Sequence, residues 1–181
     1  MSARSPPLYE IRPIFRAPLP FVYRWLTDYS SEDPLLDTGD WQRKIVSRNR
    51  RRVVLEDLTE TNTGWEWYRT TIMLNPPDRW QAELRGNVPD WSLDYRLRPM
   101  GRDRTELTIR WRIRRGAGDL GQSTPSKSHS ERMMRRLWGN FSTALDRDFR
   151  RSMIPRTGRP PVGSTQARPR RLAKSRRRRR R

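Results

Sequence analysis

Cysteine is missing from this sequence altogether, and histidine occurs once, at His129. Without thiols there is no disulfide framework and no thiolate ligand, so neither a disulfide-stapled secreted scaffold nor a zinc site is signalled. The single histidine falls in the stretch GAGDLGQSTPSKSHS, where a solvated linker residue is the expected reading. Its isolation removes the commonest general base and most remaining metal sites. No apolar run approaches the roughly 20 residues needed to span a bilayer. The N-terminus MSARSPPLYE lacks the apolar region of a signal peptide. These absences predict a soluble, cytoplasmic protein with no metal and no cofactor.

Acids are scarce too, with 20 Asp and Glu against 40 Lys and Arg over 181 residues. The imbalance is uneven: residues 154–181 hold 12 basic residues and no acid, leaving 28 basic residues against all 20 acids before them. Arginine outnumbers lysine 37 to 3. Two readings account for that bias, the fit of a planar guanidinium to phosphate and a GC-rich genome that spells basic residues as arginine. In the tail, Arg170, Arg171, Lys174, Arg176, Arg177, Arg178, Arg179, Arg180 and Arg181 form a contact set for a polyanion. Such a run binds mainly by releasing counterions and reads no sequence, so nucleic acid and an anionic membrane surface are equally compatible partners. Proline, glycine and like charges preclude a packed core there and predict disorder.

The length fits one domain with tails, placed at residues 8–153 between a flexible N-terminus of residues 1–7 and the tail of residues 154–181. LYEIRPIFRAP reads as an edge strand interrupted by Pro13. LPFVYRWLTDY follows as a short helix with Phe21, Val22, Trp25, Leu26 and Tyr29 on one face. SEDPLLDTG predicts one more helical turn, with Asp33 as its cap. From Asp40 the period changes to two, and six strands are expected: Trp41 to Ser47, Arg52 to Leu58, Gly64 to Leu74, Arg79 to Gly86, Asp90 to Arg98 and Thr105 to Arg114. The last two alternate most cleanly, so the sheet is antiparallel with one dry face and one wet face. Arg96, Arg98, Arg110, Arg112 and Arg114 fall on the wet face and could extend a basic footprint. A capping box at Ser128 and Glu131 starts a long helix whose stripe runs through Met134, Leu137, Trp138, Phe141, Leu145 and Phe149 to about Met153.

This order of elements predicts an α+β fold in which a curved seven-stranded antiparallel sheet closes around a helix on the order of 36 Å long. Together with the segments IFRAPLPFVYRWLTD, YRLRPMGRDRTELTIRW and ERMMRRLWGNFSTALDRDF, it resembles the helix-grip superfamily, which embraces polyketide cyclases and dehydrases, START-type lipid carriers and pathogenesis-related plant proteins (SRPBCC). The resemblance covers about Tyr9 to Met153. It implies a hydrophobic cavity between sheet and helix that takes lipids, polyketides or other bulky apolar ligands. In GWEWYRTT, Trp65 and Trp67 match the W-x-W of aromatic polyketide cyclases, where a serine and then an arginine follow into the pocket. Here Arg69 and Thr71 stand in swapped order, and Trp41 occupies the place where those cyclases tend to have a tyrosine.

Pockets are mostly apolar and aromatic with a few placed polar groups. The ligand set expected on that basis is Trp41, Trp65, Trp67, Arg69, Thr71, Trp80, Trp91, Tyr95, Trp111, Trp138 and Phe141, with Arg69 as the one catalytic candidate. The alternative for the tryptophans is ordinary core packing. For Arg69 it is a salt bridge with an inward acid such as Asp57, or a strand end that reaches water. No carboxylate is clearly placed on the dry face, which disfavours acid–base catalysis. Three functions remain: binding of a small hydrophobic ligand with a tail tethered to a polyanion, a polyketide cyclase/dehydrase-type enzyme, and a nucleic-acid-associated protein acting through the tail and sheet exterior. Oligomeric state is not legible.

Overall fold

The computed structural model describes residues 7–36, 41–61, 64–113 and 126–154. The tail contacts named above, Arg114, and nearly all of the N-terminal segment lie outside the described residues. The chain begins with two short strands, β1 (Tyr9–Ile11) and β2 (Ile14–Phe15), and helix α1 (Leu19–Leu26). A single 3₁₀ turn (Asp33–Leu36) follows. Six long strands come next, β3 (Trp41–Arg48), β4 (Arg52–Thr61), β5 (Gly64–Asn75), β6 (Arg79–Gly86), β7 (Trp91–Pro99) and β8 (Thr105–Ile113), and then helix α2 (Lys127–Met153).

The strands form one antiparallel sheet in the order β1-β8-β7-β6-β5-β4-β3, with β2 also on β8. The sheet has eight strands where the sequence predicts seven, because Pro13 has no N–H to give the ladder and divides the first strand. Its carbonyl still accepts from Leu107 N at 2.9 Å, which holds both pieces on β8. Cross-strand register puts Leu93 opposite Trp111, Tyr95 opposite Ile109 and Leu97 opposite Leu107. The inward residues of β7 and β8 therefore meet as pairs, and Leu97, Leu107, Ile109 and Trp111 are buried.

Helix α1 has Pro20 in its first turn, where a missing N–H costs nothing, and buries Val22 and Leu26. In α2 the cap is Ser126 and not Ser128: the Ser126 hydroxyl accepts from His129 N at 3.3 Å, so the helix starts earlier than the capping-box pattern suggests. Its 27 residues span about 40 Å. Met134, Ala144 and Leu145 are buried on its inner face. Several contacts fasten it to the N-terminal segment. Phe21 packs edge-on against Phe149 with centroids 4.9 Å apart, Trp25 Nε1 donates to Asp148 at 3.1 Å, and Arg16 N donates to Asp146 at 2.9 Å. The helix is thus held as a lid over the sheet.

Candidate functional site

Between the inner sheet face, α1 and α2 lies a cavity of about 440 Å³. Its floor comes from alternate residues of the central strands, Thr70 and Ile72 on β5, Ala82 and Leu84 on β6, Trp91 and Leu93 on β7. Its roof is Met134, Leu137, Trp138 and Phe141, which share one face of α2 because they recur at helical spacing. Aromatic rings join roof to floor. Trp80 stacks on Tyr95 (4.9 Å, 7°), Tyr95 meets Trp138 at 5.9 Å, Trp138 meets Phe141 at 5.5 Å, and Phe141 meets Trp25 edge-on at 6.0 Å. Two larger hollows, of about 610 and 680 Å³, lie on the outer sheet face. They are bordered by groups such as Arg79, Asp94, Arg110 and Arg112, among the described residues no helical one borders them, and they lack the apolar walls of a ligand pocket.

One end of the cavity is polar. β3 and β4 pair Arg43 with Asp57 on the inner face, and the 3₁₀ turn brings Asp33 beside them. Arg43 Nε and Nη2 donate to the two oxygens of Asp57 at 2.9 and 3.1 Å, and Nη1 donates to Asp33 at 2.5 Å. The Arg43 side chain is only 11% exposed, Asp33 13% and Asp57 2%. The guanidinium also lies 4.6 Å over the Trp41 ring, a cation–π contact. Burial pushes the Asp33 carboxyl up to about 6, against the opposing pull of Arg43. Burial raises Asp57 likewise, with its Arg43 hydrogen bonds resisting. For Arg43, burial acts to lower the pKa, but the hydrogen bonds and charges of Asp57 and Asp33 outweigh it and the net shift is upward. The Tyr29 and Tyr95 phenols are also raised by burial, so both stay neutral hydrogen-bonding groups. Among the described residues no cluster of His, Asp and Glu is arranged to hold a metal ion.

Of the expected ligand set, Trp41, Trp80, Trp91, Tyr95, Trp138 and Phe141 all line this cavity. Four do not. Trp65, Trp67, Arg69 and Thr71 sit on the outer face of β5, and Trp65 and Trp67 are 55% and 40% exposed. Arg69 is an exposed residue that donates to Glu56, its cross-strand neighbour on the outer face, at 2.5 Å and not to Asp57. From the outer face its guanidinium does not reach the cavity, so the expectation of Arg69 as a catalytic group there is not met. The inward residues of β5 are Glu66, Tyr68, Thr70 and Ile72. Both faces of this strand carry large side chains, and parity is set by its far end, where buried Ile72 faces Val53 and Ala82. A fifth residue, Trp111, is buried beneath Tyr9, stacked at 5.2 Å, as core and not as cavity wall. Sequence reasoning missed Arg43, Asp33 and Asp57 as a group. The available signal was alternation in β3, where Trp41, Arg43 and Ile45 share one parity.

No protein-family model and no curated protein matches the sequence. Solved structures do. The Zhui aromatase/cyclase from a Streptomyces species superposes with a TM-score of 0.63 at 16% identity, over 84% of this chain and 98% of that one. A START superfamily protein from Mycobacterium smegmatis superposes at 0.58 and 12% identity, over 80% and 98% of the two chains. This chain has the helix-grip fold. Ara h 8.0201 shares the helix-grip layout as well, with a TM-score of 0.56 at 11% identity over 80% of this chain and 97% of that one. In helix-grip terms, α2 is the gripped helix and the aromatic cavity lies under it.

Proposed function

We propose that this protein binds a small hydrophobic ligand in the cavity under α2. The observation that carries the reading is the cavity itself, about 440 Å³ with aromatic walls and polar groups gathered at one end. That combination of size, apolar lining and few polar anchors is what drug-sized ligands require. Native mass spectrometry of the purified full chain tests it: a retained apolar adduct, released on denaturation, is expected. Protein that carries no adduct and takes up no added apolar aromatic would refute it.

Asp33 supports a second reading, catalysis of the polyketide cyclase/dehydrase type. A carboxyl raised to about 6 in a sheltered cavity can pass a proton near neutral pH, and one similar fold is an aromatase/cyclase. Asp33→Asn would then abolish turnover of a polyketide-like substrate while the substrate still binds; unimpaired turnover would exclude Asp33 as the proton carrier. The Arg-rich tail acts in either case as a tether to a polyanion, nucleic acid or an anionic membrane surface. Deleting residues 154–181 should weaken that binding and flatten its salt dependence.

A further inference from the structure

Basic residues outnumber acids two to one in this chain, 40 to 20. In the cavity the balance reverses. Among the described residues its wall carries three carboxylates, Asp33, Asp57 and Glu66, and a single cation, Arg43. That cation is already engaged. Asp57 takes its Nε and Nη2, Asp33 takes Nη1, and Trp41 lies under its plane. An incoming anion would have to displace a carboxylate that is itself buried, or sit beside it, and either arrangement leaves a desolvated negative charge that no free cation among the described wall residues offsets.

A hydrogen-bond donor meets the opposite situation. Asp33 accepts from Arg43 through Oδ2, and among the described residues no hydrogen bond is made to its Oδ1. A hydroxyl there would form a charge-assisted bond to the carboxylate, and an ammonium would add to it the attraction of a full opposite charge. The walls favour the same sign, because indole and phenol faces present negative quadrupoles to whatever lies against them.

Resting on the ligand-binding reading above, we infer that the ligand of this cavity is an aromatic amphiphile whose polar end donates hydrogen bonds, an amine in preference to a phenol. Carboxylates and phosphates are disfavoured in it.

Three probes of one shape test this on the full chain by isothermal titration calorimetry at neutral pH: 2-naphthylmethylamine, 2-naphthol and 2-naphthoic acid. The amine is expected to bind at one site per chain, at least about tenfold more tightly than the acid, with the phenol between them. The basic tail attracts the acid and repels the amine, so it cannot produce that ranking. Asp33→Asn should cost the amine about tenfold and the phenol less, so that the gap between them narrows. The wild-type ranking alone decides the inference if that variant fails to fold. If the acid binds as tightly as the amine, the charge argument is overturned while ligand binding stands. If none of the three binds, the ligand-binding reading falls, and the inference with it.

Discussion

At the scale of single residues, Arg43 and Asp57 each carry the desolvation cost of the other. Two hydrogen bonds join them where Asp57 has almost no contact with solvent. Arg43→Met would leave Asp57 buried and unpaired, and removal of one partner from such a pair costs about 3–5 kcal/mol. Urea unfolding measures this; a loss below about 1 kcal/mol would mean that Asp57 finds water or takes up a proton without strain. Asp33 makes a separate prediction. With its folded-state pKa raised from 3.8 to about 6 by burial, the native protein holds a proton there that the unfolded chain has already released. Its contribution to stability is therefore full below about pH 4 and lost as the pH rises to about 6, amounting to roughly 3 kcal/mol at most. Asp33→Asn should flatten this part of the stability–pH profile. Profiles of identical shape would show that Asp33 titrates as an ordinary exposed carboxyl. Sequence reading placed Asp33 correctly in the helical turn but gave it only a capping role, because its encounter with Arg43 depends on how the turn packs over β3.

At the scale of elements, alternation located each long strand to within a few residues, and helical spacing identified the inward stripe of α2. What it misjudged was parity in β5. Trp65 and Trp67 are the largest side chains of the strand, but Tyr68, Ile72 and Leu74 hold the other parity, and a shift of one residue inverts every side chain of a strand. The deciding contacts are with β4 and β6, and no local pattern contains them. Gly86 belongs to the same region: a Cβ there would lie 2.0 Å from the Trp67 carbonyl oxygen and 2.7 Å from Tyr68 Cα, both backbone atoms. Gly86→Ala should therefore part the ends of β5 and β6 and lower stability by more than about 2 kcal/mol. Gly139 is the control. It sits within α2 with nothing within 4 Å of a Cβ, so Gly139→Ala should stabilise by up to about 1 kcal/mol. Thermal unfolding distinguishes the two, and equal small effects would contradict the close approach at Gly86.

At the scale of the whole molecule, the sheet separates two chemistries. The concave side gathers aromatic rings and three carboxylates under α2, while the convex side carries Arg69, Arg79, Arg98 and Arg110 in ion pairs with Glu56, Asp94, Glu106 and Glu10. Trp65 and Trp67 belong to the convex side. The double substitution Trp65→Ser, Trp67→Ser is expected to leave 2-naphthol affinity within about twofold, since neither ring reaches the cavity, and to cost under about 1 kcal/mol. A large loss of affinity in calorimetry would return these rings to the interior.

The sequence by itself determined the architecture. Periods of two and of 3.6, the turns between them and the apolar stripe of one long helix dictate which surfaces must leave water, and a curved sheet over a helix is how those surfaces close. It also placed six of the cavity-wall residues. The tertiary structure alone decided which face of β5 turns inward and that Arg43, Asp33 and Asp57 meet at one end of the cavity. Both depend on contacts between residues distant in the chain, and the energy that selects them, burial and charge pairing in a dry interior, exists only once the strands are side by side.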